Sequence, residues 1–531
     1  MVLRKTQNPR LDLRTGDKSV RPGRTAKESG GPKESPERLV HKKELLEKIE
    51  KLEKRKSEDR DKTIENEAVP ETIAEPRDSA ELVTDLSKKE KRAPAPGNAP
   101  VTETPKKNGA DEKKSLPKIE YDTLAFPEGF LWGTATSAYQ IEGGIKNDWS
   151  EWEKSEGRIE KLKKEGKRPE DYICGQACDS YNRYREDIEL AKSLNTNAIR
   201  LGIEWARLEP ERGSWDVAAV NHYRGVLAEA KKRNLATVVT LWHWTAPDWF
   251  AREGGWEKEG NRSIFFSYVD MVIKELGAEI DYWVILNEPM MFAFGAYVSR
   301  RHPPQKFSLL KFHRVINNLS FAHNAVYDMI HEHFPNARVG STNMLNYFEP
   351  AHRWNPIERA LADFLDYYWN RRIVKKTMKC DFLGMNYYFH DRIIWRPPFK
   401  KNLNGWVNEK GWEIFPAGIY HKLMYLKEFH KPILIMENGT ADSKDEHRTA
   451  FIREHLRYIH KAIGEGADVR GYFHWSLLDN FEWSWGWDPK FGLYAVDRKT
   501  FKRTARPSAA VYREICKTNS VKIEKKPDIG Y

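Results

Sequence analysis

The sequence predicts an α/β protein: a (β/α)8 TIM barrel preceded by a long disordered N-terminal tail. Three observations carry this reading. All 19 Trp, 22 Tyr and 23 Phe lie after residue 118. Beyond that point, eight short apolar, β-rich runs recur with starts 38 to 68 residues apart. That spacing leaves room for a crossover helix and its loops between consecutive strands.

Residues 1–118 hold no aromatic side chain. Such a segment cannot bury enough apolar surface to offset its ordering entropy, so it is expected to be a disordered charged tail. Within it, HKKELLEKIEKLEKRK places Leu45, Ile49 and Leu52 at helical spacing over little more than one heptad, too short for a coiled coil. APAPGNAPVTETPKKNG reads as a Pro-rich linker. The formal net charge is +11, and the tail carries 29 Lys and Arg against 23 Asp and Glu, with the signs interleaved. A nucleic-acid-binding arm would show a denser run of one sign, so no nucleic-acid partner is expected. The chain shows no run of 18 apolar residues and no apolar segment after MVLRKTQNPRLD, so neither a membrane span nor a secretory leader is expected. Cys174, Cys178, Cys380 and Cys516 are too few for a disulfide framework, which agrees with a cytoplasmic protein. Cys174 and Cys178 lack the partners of a metal site, and no metal is expected.

Residues 119–531 form the expected barrel. The eight runs are FLWGTATS from 130, AIRLGIEW from 198, ATVVTLW from 236, YWVILNE from 282, RVGSTNML from 338, DFLGMNYY from 381, PILIMENG from 432 and RGYFHWSLL from 470. Several are apolar on both faces, as parallel strands covered on both sides must be. Between them, Asp216 is placed to cap a helix with Val217, Val220, Leu227 and Ala230 inward. Tyr181, Tyr184, Ile188 and Ala191 form a second such face. A doubly wound sheet would need a Gly-rich phosphate turn after its first strand, and none of the strand ends offers one.

In such a barrel the chemistry sits at the carboxyl ends of the strands. The polar residues there are Gln140 and Glu142, Arg200 and Glu204, His243, Asn287 with Glu288, Asn386 and Tyr388, Glu437 with Asn438, then Trp475 and Glu482. Glu288 and Glu437 close almost wholly apolar strands, where a buried acid is costly unless paired. Strands four and seven are three steps apart on an eight-strand ring, so these acids oppose each other across the mouth. Two opposed carboxyls without a metal-ligand cluster suggest glycoside hydrolysis, in which one protonates the leaving oxygen and the other attacks or activates water. Trp242, Trp244 and Trp249 after strand three, and Trp475, Trp483, Trp485 and Trp487 after strand eight, could supply the aromatic faces on which pyranose rings stack. Trp is also a routine packing residue.

Eight stretches, in order, resemble glycoside hydrolase family 1, the retaining β-glucosidases and β-galactosidases. They are FPEGFLWGTATSAYQIEGG, NAIRLGIEWARLEP, VTLWHWTAPDWF, WVILNEP, FLGMNYY, GWEIFPAGIY, ILIMENGTAD and GYFHWSLLDNFEWSWGWDPKFGLYAVD, together spanning most of residues 119–516. The resemblance implies a cofactor-free, retaining, exo-acting β-glycosidase that acts on small β-glycosides or short oligosaccharides by double displacement. It makes Glu288 the general acid/base and Glu437 the nucleophile. Asn287 would contact the sugar 2-hydroxyl, and Tyr388 and Arg200 would hold the nucleophile ionised and oriented. Gln140, His243, Glu482 and Trp483 would bind the glycone hydroxyls, with Trp475 as the platform under the ring. A retaining pair of carboxyls is expected about 5 to 5.5 Å apart.

Departures from the family pattern carry information too. Met436 precedes the nucleophile where Thr is usual. Members acting on 6-phosphorylated sugars replace the glycone Glu and add a Lys and a Tyr seven and nine residues later. Here Glu482 is retained, and those positions are Pro489 and Phe491, which disfavours a 6-phospho-β-glycosidase because the cation a phosphate needs is missing. A sugar-binding or scaffold barrel without activity is the remaining alternative, and intact Glu288 and Glu437 oppose it. Gluco against galacto preference, the aglycone and the oligomeric state are left open by these residues.

Overall fold

A computed structural model describes residues 121–524. The expected tail 1–118, with its short helical heptad and Pro-rich linker, lies outside the described residues. Eight parallel strands close a barrel: β1 (Leu131–Ala135), β2 (Ala198–Gly202), β3 (Ala236–Trp242), β4 (Tyr282–Asn287), β5 (Arg338–Met344), β6 (Leu383–Asn386), β7 (Ile433–Asn438) and β8 (Val469–Trp475). Each predicted run supplies one strand, and consecutive strands are neighbours, with β8 pairing β1 from Gly471 against Leu131 to Trp475 against Ala135.

Ala135, Ala198, Val238, Val284, Leu434 and Met436 fill the barrel interior, with the bulkier Phe473 and Trp475 on β8 beside β1. Gly133 makes room for the phenyl ring: a Cβ there would stand 2.3 Å from Phe473 Cδ1. Outside the strands, the helices bury their apolar faces on the sheet, as with Ile419 and Leu423 of helix Pro416–Lys427 and Ile452, Leu456 and Ile459 of helix Arg448–Gly464. A short antiparallel pair, Tyr121–Ala125 with Ser520–Glu524, brings the two ends of the described chain together. Two further pairs, Tyr347–Pro350 with His390–Ile393 and Tyr494–Val496 with Arg503–Ala505, stiffen the loops.

Asp216 caps helix Val217–Lys232 as expected, accepting from the amides of Ala218 and Ala219. Val220, Leu227 and Ala230 face inward, joined by Tyr223 and Val226, but Val217 is exposed because the first helical residue lies ahead of the turns that meet the strands. On helix Ser180–Ser193, Ile188 and Ala191 are buried, whereas Tyr181 stacks on His222 at 3.7 Å, part-exposed. That helix also buries Asp187 in an ion pair with Arg503 at 2.8 Å. All four cysteines are free and buried.

Candidate active site

β4 ends in Asn287, followed by Glu288 and Pro289. Proline disfavours the right-handed helical region for the residue before it and is well tolerated at the first position of a helix. Glu288 accordingly takes a left-handed conformation, φ 47° and ψ 57°, and Pro289 starts the helix running to Tyr297. The amide of Glu288 donates to Thr342 O at 2.7 Å, tying this strained residue to β5. In β7 the pairing shifts register between Ile435 and Asn438, so the ladder is irregular at Met436 and Glu437. Such irregularities re-aim side chains at barrel rims.

Arg200, fully buried on β2, organises the floor. Its Nη1 donates to Glu437 Oε1 at 2.5 Å, its Nη2 to Asn287 Oδ1 at 2.6 Å and its Nε to Thr240 Oγ1 at 3.1 Å. The Tyr388 hydroxyl donates to Glu437 Oε2 at 3.0 Å. With its carbonyl occupied by Arg200, Asn287 turns its amide to His243, 2.9 Å from Nε2. This leaves Nε2 as acceptor and the proton on Nδ1. Burial and the nearby Arg200 hold His243 well below its usual pKa, so it is neutral.

One amide bridges the two residues at the end of β4: Asn386 Nδ2 donates to Glu288 Oε1 at 2.5 Å and to Asn287 Oδ1 at 3.4 Å. Burial raises both acids above the usual carboxyl range. Glu288 is raised further by the negative charge of Glu437. Glu437 is pulled back by the Arg200 charge and by hydrogen bonds from Arg200, Tyr388 and Asn386. Arg200 and Tyr388 act on Glu437 in the direction that favours its ionised form, although burial outweighs them. Of the pair, Glu437 loses its proton first.

Gln140, Glu482, Trp475 and Trp483 gather on the opposite side. Gln140 Nε2 donates to Phe481 O at 2.7 Å and Asn480 Oδ1 at 3.0 Å, and lies 3.4 Å from Glu482 Oε2. Burial and the Glu437 charge push Glu482 up to about 8, while a hydrogen bond from Trp475 counters them. Trp483 packs between Trp149 at 4.6 Å and Trp244 at 4.8 Å, with Tyr139 stacked on it at 5.8 Å. Its ring also stacks on His243 at 5.8 Å, and Trp475 lies 6.3 Å from the same imidazole. Among the described residues, Gln140 Oε1, His243 Nδ1 and Asn386 Oδ1 are buried polar atoms without a protein partner.

All ten residues singled out from the sequence thus come together. Of the other strand-end candidates, Asn386 joins them, whereas Glu142 and Glu204 do not. Glu142 is bound by Arg207 and Tyr223, and Glu204 by Asn147 and Thr245. Trp242, Trp249 and Trp487 are packing residues: Trp242 meets Trp256 and Phe292, and the other two donate their indoles to the carbonyls of Glu209 and Ile173. Met436 fills the barrel behind Glu437, fully buried, and its carbonyl accepts from Arg200 at 3.3 Å. Phe491 stands edge-on to Tyr388, apolar as expected. The bridging role of Asn386 was missed, although its place at the end of β6 was the available signal.

The sequence profile of glycosyl hydrolase family 1 matches residues 122–382 and 370–521. A 1,4-beta-D-glucan glucohydrolase from Thermotoga neapolitana is 30% identical over 450 residues, covering 75% of this chain and 99% of its own. Beta-glucosidase A from Thermotoga maritima is 30% identical over 75% of this chain and 98% of its own length. Among solved structures, a beta-glycosidase from Pyrococcus horikoshii is similar with a TM-score of 0.68 at 35% identity, over 75% of this chain and 96% of that one. A Thermotoga maritima beta-glucosidase in complex with glucoimidazole aligns with a TM-score of 0.69 at 29% identity, over 75% of this chain and 99% of that one. With two carboxyls facing one another at the mouth of a closed eight-strand barrel and a family profile running across nearly all of it, the chain belongs to glycosyl hydrolase family 1 and is a glycoside hydrolase.

Proposed function

We propose that the protein is a retaining, exo-acting β-glycosidase that removes terminal β-linked sugars from short oligosaccharides or aryl and alkyl glycosides. The observation that carries this reading is the unlike environment of two neighbouring carboxyls. Glu437 is held by Arg200 and Tyr388 on its two oxygens, whereas Glu288 accepts from an uncharged amide.

Ionised Glu437 attacks the anomeric carbon while Glu288 protonates the departing glycosidic oxygen. Forming the glycosyl ester removes the charge that raised Glu288. Its carboxyl then becomes more acidic and serves as the base that draws a proton from water in the second displacement. Arg200 and Tyr388, released from a full negative charge as the ester forms, hold the ester oxygens in place and favour the carboxylate as it leaves. Gln140 Oε1 accepts, and the Nδ1 proton of His243 donates, at the side of the mouth where Trp475 and Trp483 lie, which suits a ring with alternating hydroxyls and an apolar face. The glycosides named for its relatives, and the sugar-like inhibitor bound by the Thermotoga maritima enzyme, support the same substrate class.

The test is proton NMR of 4-nitrophenyl β-D-glucopyranoside turnover, with the β-galactopyranoside beside it, read before mutarotation. The β-anomer appearing first is the expected result. The α-anomer appearing first would overturn Glu437 as nucleophile.

A further inference from the structure

Nearly all large apolar side chains left exposed among the described residues, Tyr121 and Val217 aside, lie in three segments. Phe307, Leu309 and Leu310 follow β4; Trp354, Ile357, Phe364 and Tyr367 follow β5; Trp395, Phe399 and Leu403 follow β6. Trp354 is 80% and Leu310 81% exposed. All three segments leave the carboxyl ends of adjacent strands, so they share the end of the barrel that carries the catalytic mouth.

Contacts join the segments into one surface. Tyr368 stacks on Phe364 at 5.8 Å and on Phe312 at 6.3 Å, linking the second segment to the first. The amide of Ala351 donates to Ile393 O at 2.9 Å, beside the pairing of Tyr347–Pro350 with His390–Ile393, and so links the second to the third. Arg301 lies 5.5 Å from the Trp485 ring, and Trp412 lies 6.1 Å from it, so the surface borders the mouth.

The charges between these apolar groups are cationic in excess, with Lys306 and Lys311 paired to Glu257, Arg392 to Glu349 and Lys400 to Asp391. Residues 299–314, SRRHPPQKFSLLKFHR, contain five Lys and Arg and no Asp or Glu. Residues 392–406, RIIWRPPFKKNLNGW, contain four and again no acid. In the middle segment Glu358 is buried and Asp366 is bound to Arg371 and Lys422, while Arg353 and Arg359 are exposed beside a single exposed acid, Asp363. Exposed Trp, Phe and Leu set among cations, on a contiguous patch, are the composition of a surface that enters the headgroup layer of a membrane. A second copy of this chain would bring cations against cations, and residues 1–118 are net basic and without aromatics, so neither complements the patch.

We propose that this face is a peripheral docking surface for an anionic lipid bilayer, resting the rim of the mouth against the headgroups. The interaction is interfacial: no helix among the described residues is long and apolar enough to cross a membrane. The inference stands independently of the glycosidase reading.

The test is flotation of the full-length protein with vesicles of phosphatidylcholine alone and of phosphatidylcholine with phosphatidylglycerol. Binding is expected to the anionic vesicles only, weakening as salt is added. The triple variant Trp354→Ser, Trp395→Ser, Leu403→Ser keeps every cation, including those of the tail, and is expected to lose at least about tenfold in partitioning. Its turnover of a soluble aryl glycoside, expected at the wild-type rate, shows that it is folded. The charge reversal Arg353→Glu, Arg396→Glu, Lys401→Glu should abolish the preference for anionic lipid. Equal flotation of wild type and the apolar triple variant would overturn the proposal by placing any binding on the basic tail. Absence of flotation would overturn it too, as would a solution dimer that the triple variant dissolves without any vesicle binding.

Discussion

Arg200 donates from Nη1 to Oε1 of Glu437 at 2.5 Å, with the guanidinium fully buried and the carboxyl nearly so. A planar, permanently charged donor in a dry site fixes both the position and the charge of that acid. Replacing it with Lys keeps a charge but loses the second arm that holds Asn287. Arg200→Lys is expected to lower kcat/KM by about 10- to 150-fold, since an unmatched charge-assisted bond in such a site is worth about 1.5–3 kcal/mol. Steady-state kinetics on an aryl β-glycoside checks it, with circular dichroism for the fold.

Removing the nucleophile should be reparable from solution. Glu437→Ala is expected to lose about 10⁴-fold or more in turnover, and added azide should restore activity by entering the space of the lost carboxylate. The product should be the α-glycosyl azide, identified by its anomeric coupling. A β-azide would reassign the nucleophile to Glu288.

The pH profile follows from the ordering of the two acids. The proposed mechanism needs Glu437 ionised and Glu288 protonated, which assigns the acidic limb to Glu437 and the alkaline limb to Glu288. Burial raises both, and the Glu437 charge raises Glu288 further, so the bell should lie above the range of ordinary carboxyls. Tyr388→Phe removes a bond to ionised Glu437 and should move the acidic limb upward by about one pH unit. Glu288→Gln should cost about 10²–10⁴-fold on substrates with poor leaving groups and less on dinitrophenyl glycosides, and it should abolish the alkaline limb.

The Asp187–Arg503 pair is a stability element with no part in the chemistry. Arg503→Met leaves a buried carboxyl unpaired and should cost about 3–5 kcal/mol, read as a lowered urea midpoint. The double variant Asp187→Leu, Arg503→Met should recover most of that loss.

Met436 allows a separate test of the barrel interior. Met436→Thr removes buried volume and adds a hydroxyl among apolar neighbours, and should cost about 2 kcal/mol of stability. The Arg200 contact is to the backbone carbonyl, so the pH profile should keep its shape.

The barrel was legible in the chain because its strands announce themselves locally. VVTL, VILN and ILIM are apolar on both faces, and that double burial is a one-dimensional signal. The gathering of the proposed site residues was legible for a related reason: a polar group closing such a run is carried to the rim of the barrel, although Glu142 and Glu204 find other partners there. The bridging amide of Asn386, the turn of Asn287 toward His243 and the separation of mouth tryptophans from packing tryptophans were not legible. Each depends on which strands become neighbours and on which atoms already have partners, quantities that exist only once the ring is closed. Exposure is of the same kind: only the tertiary structure leaves Trp354, Trp395 and Leu403 without a core to enter. The sequence by itself determined the order of strands and which polar residues close them, because burial periodicity and side-chain chemistry are carried residue by residue. Tertiary structure decided the distances, the direction of each proton and the surface that faces outward, because these arise from long-range closure of the chain.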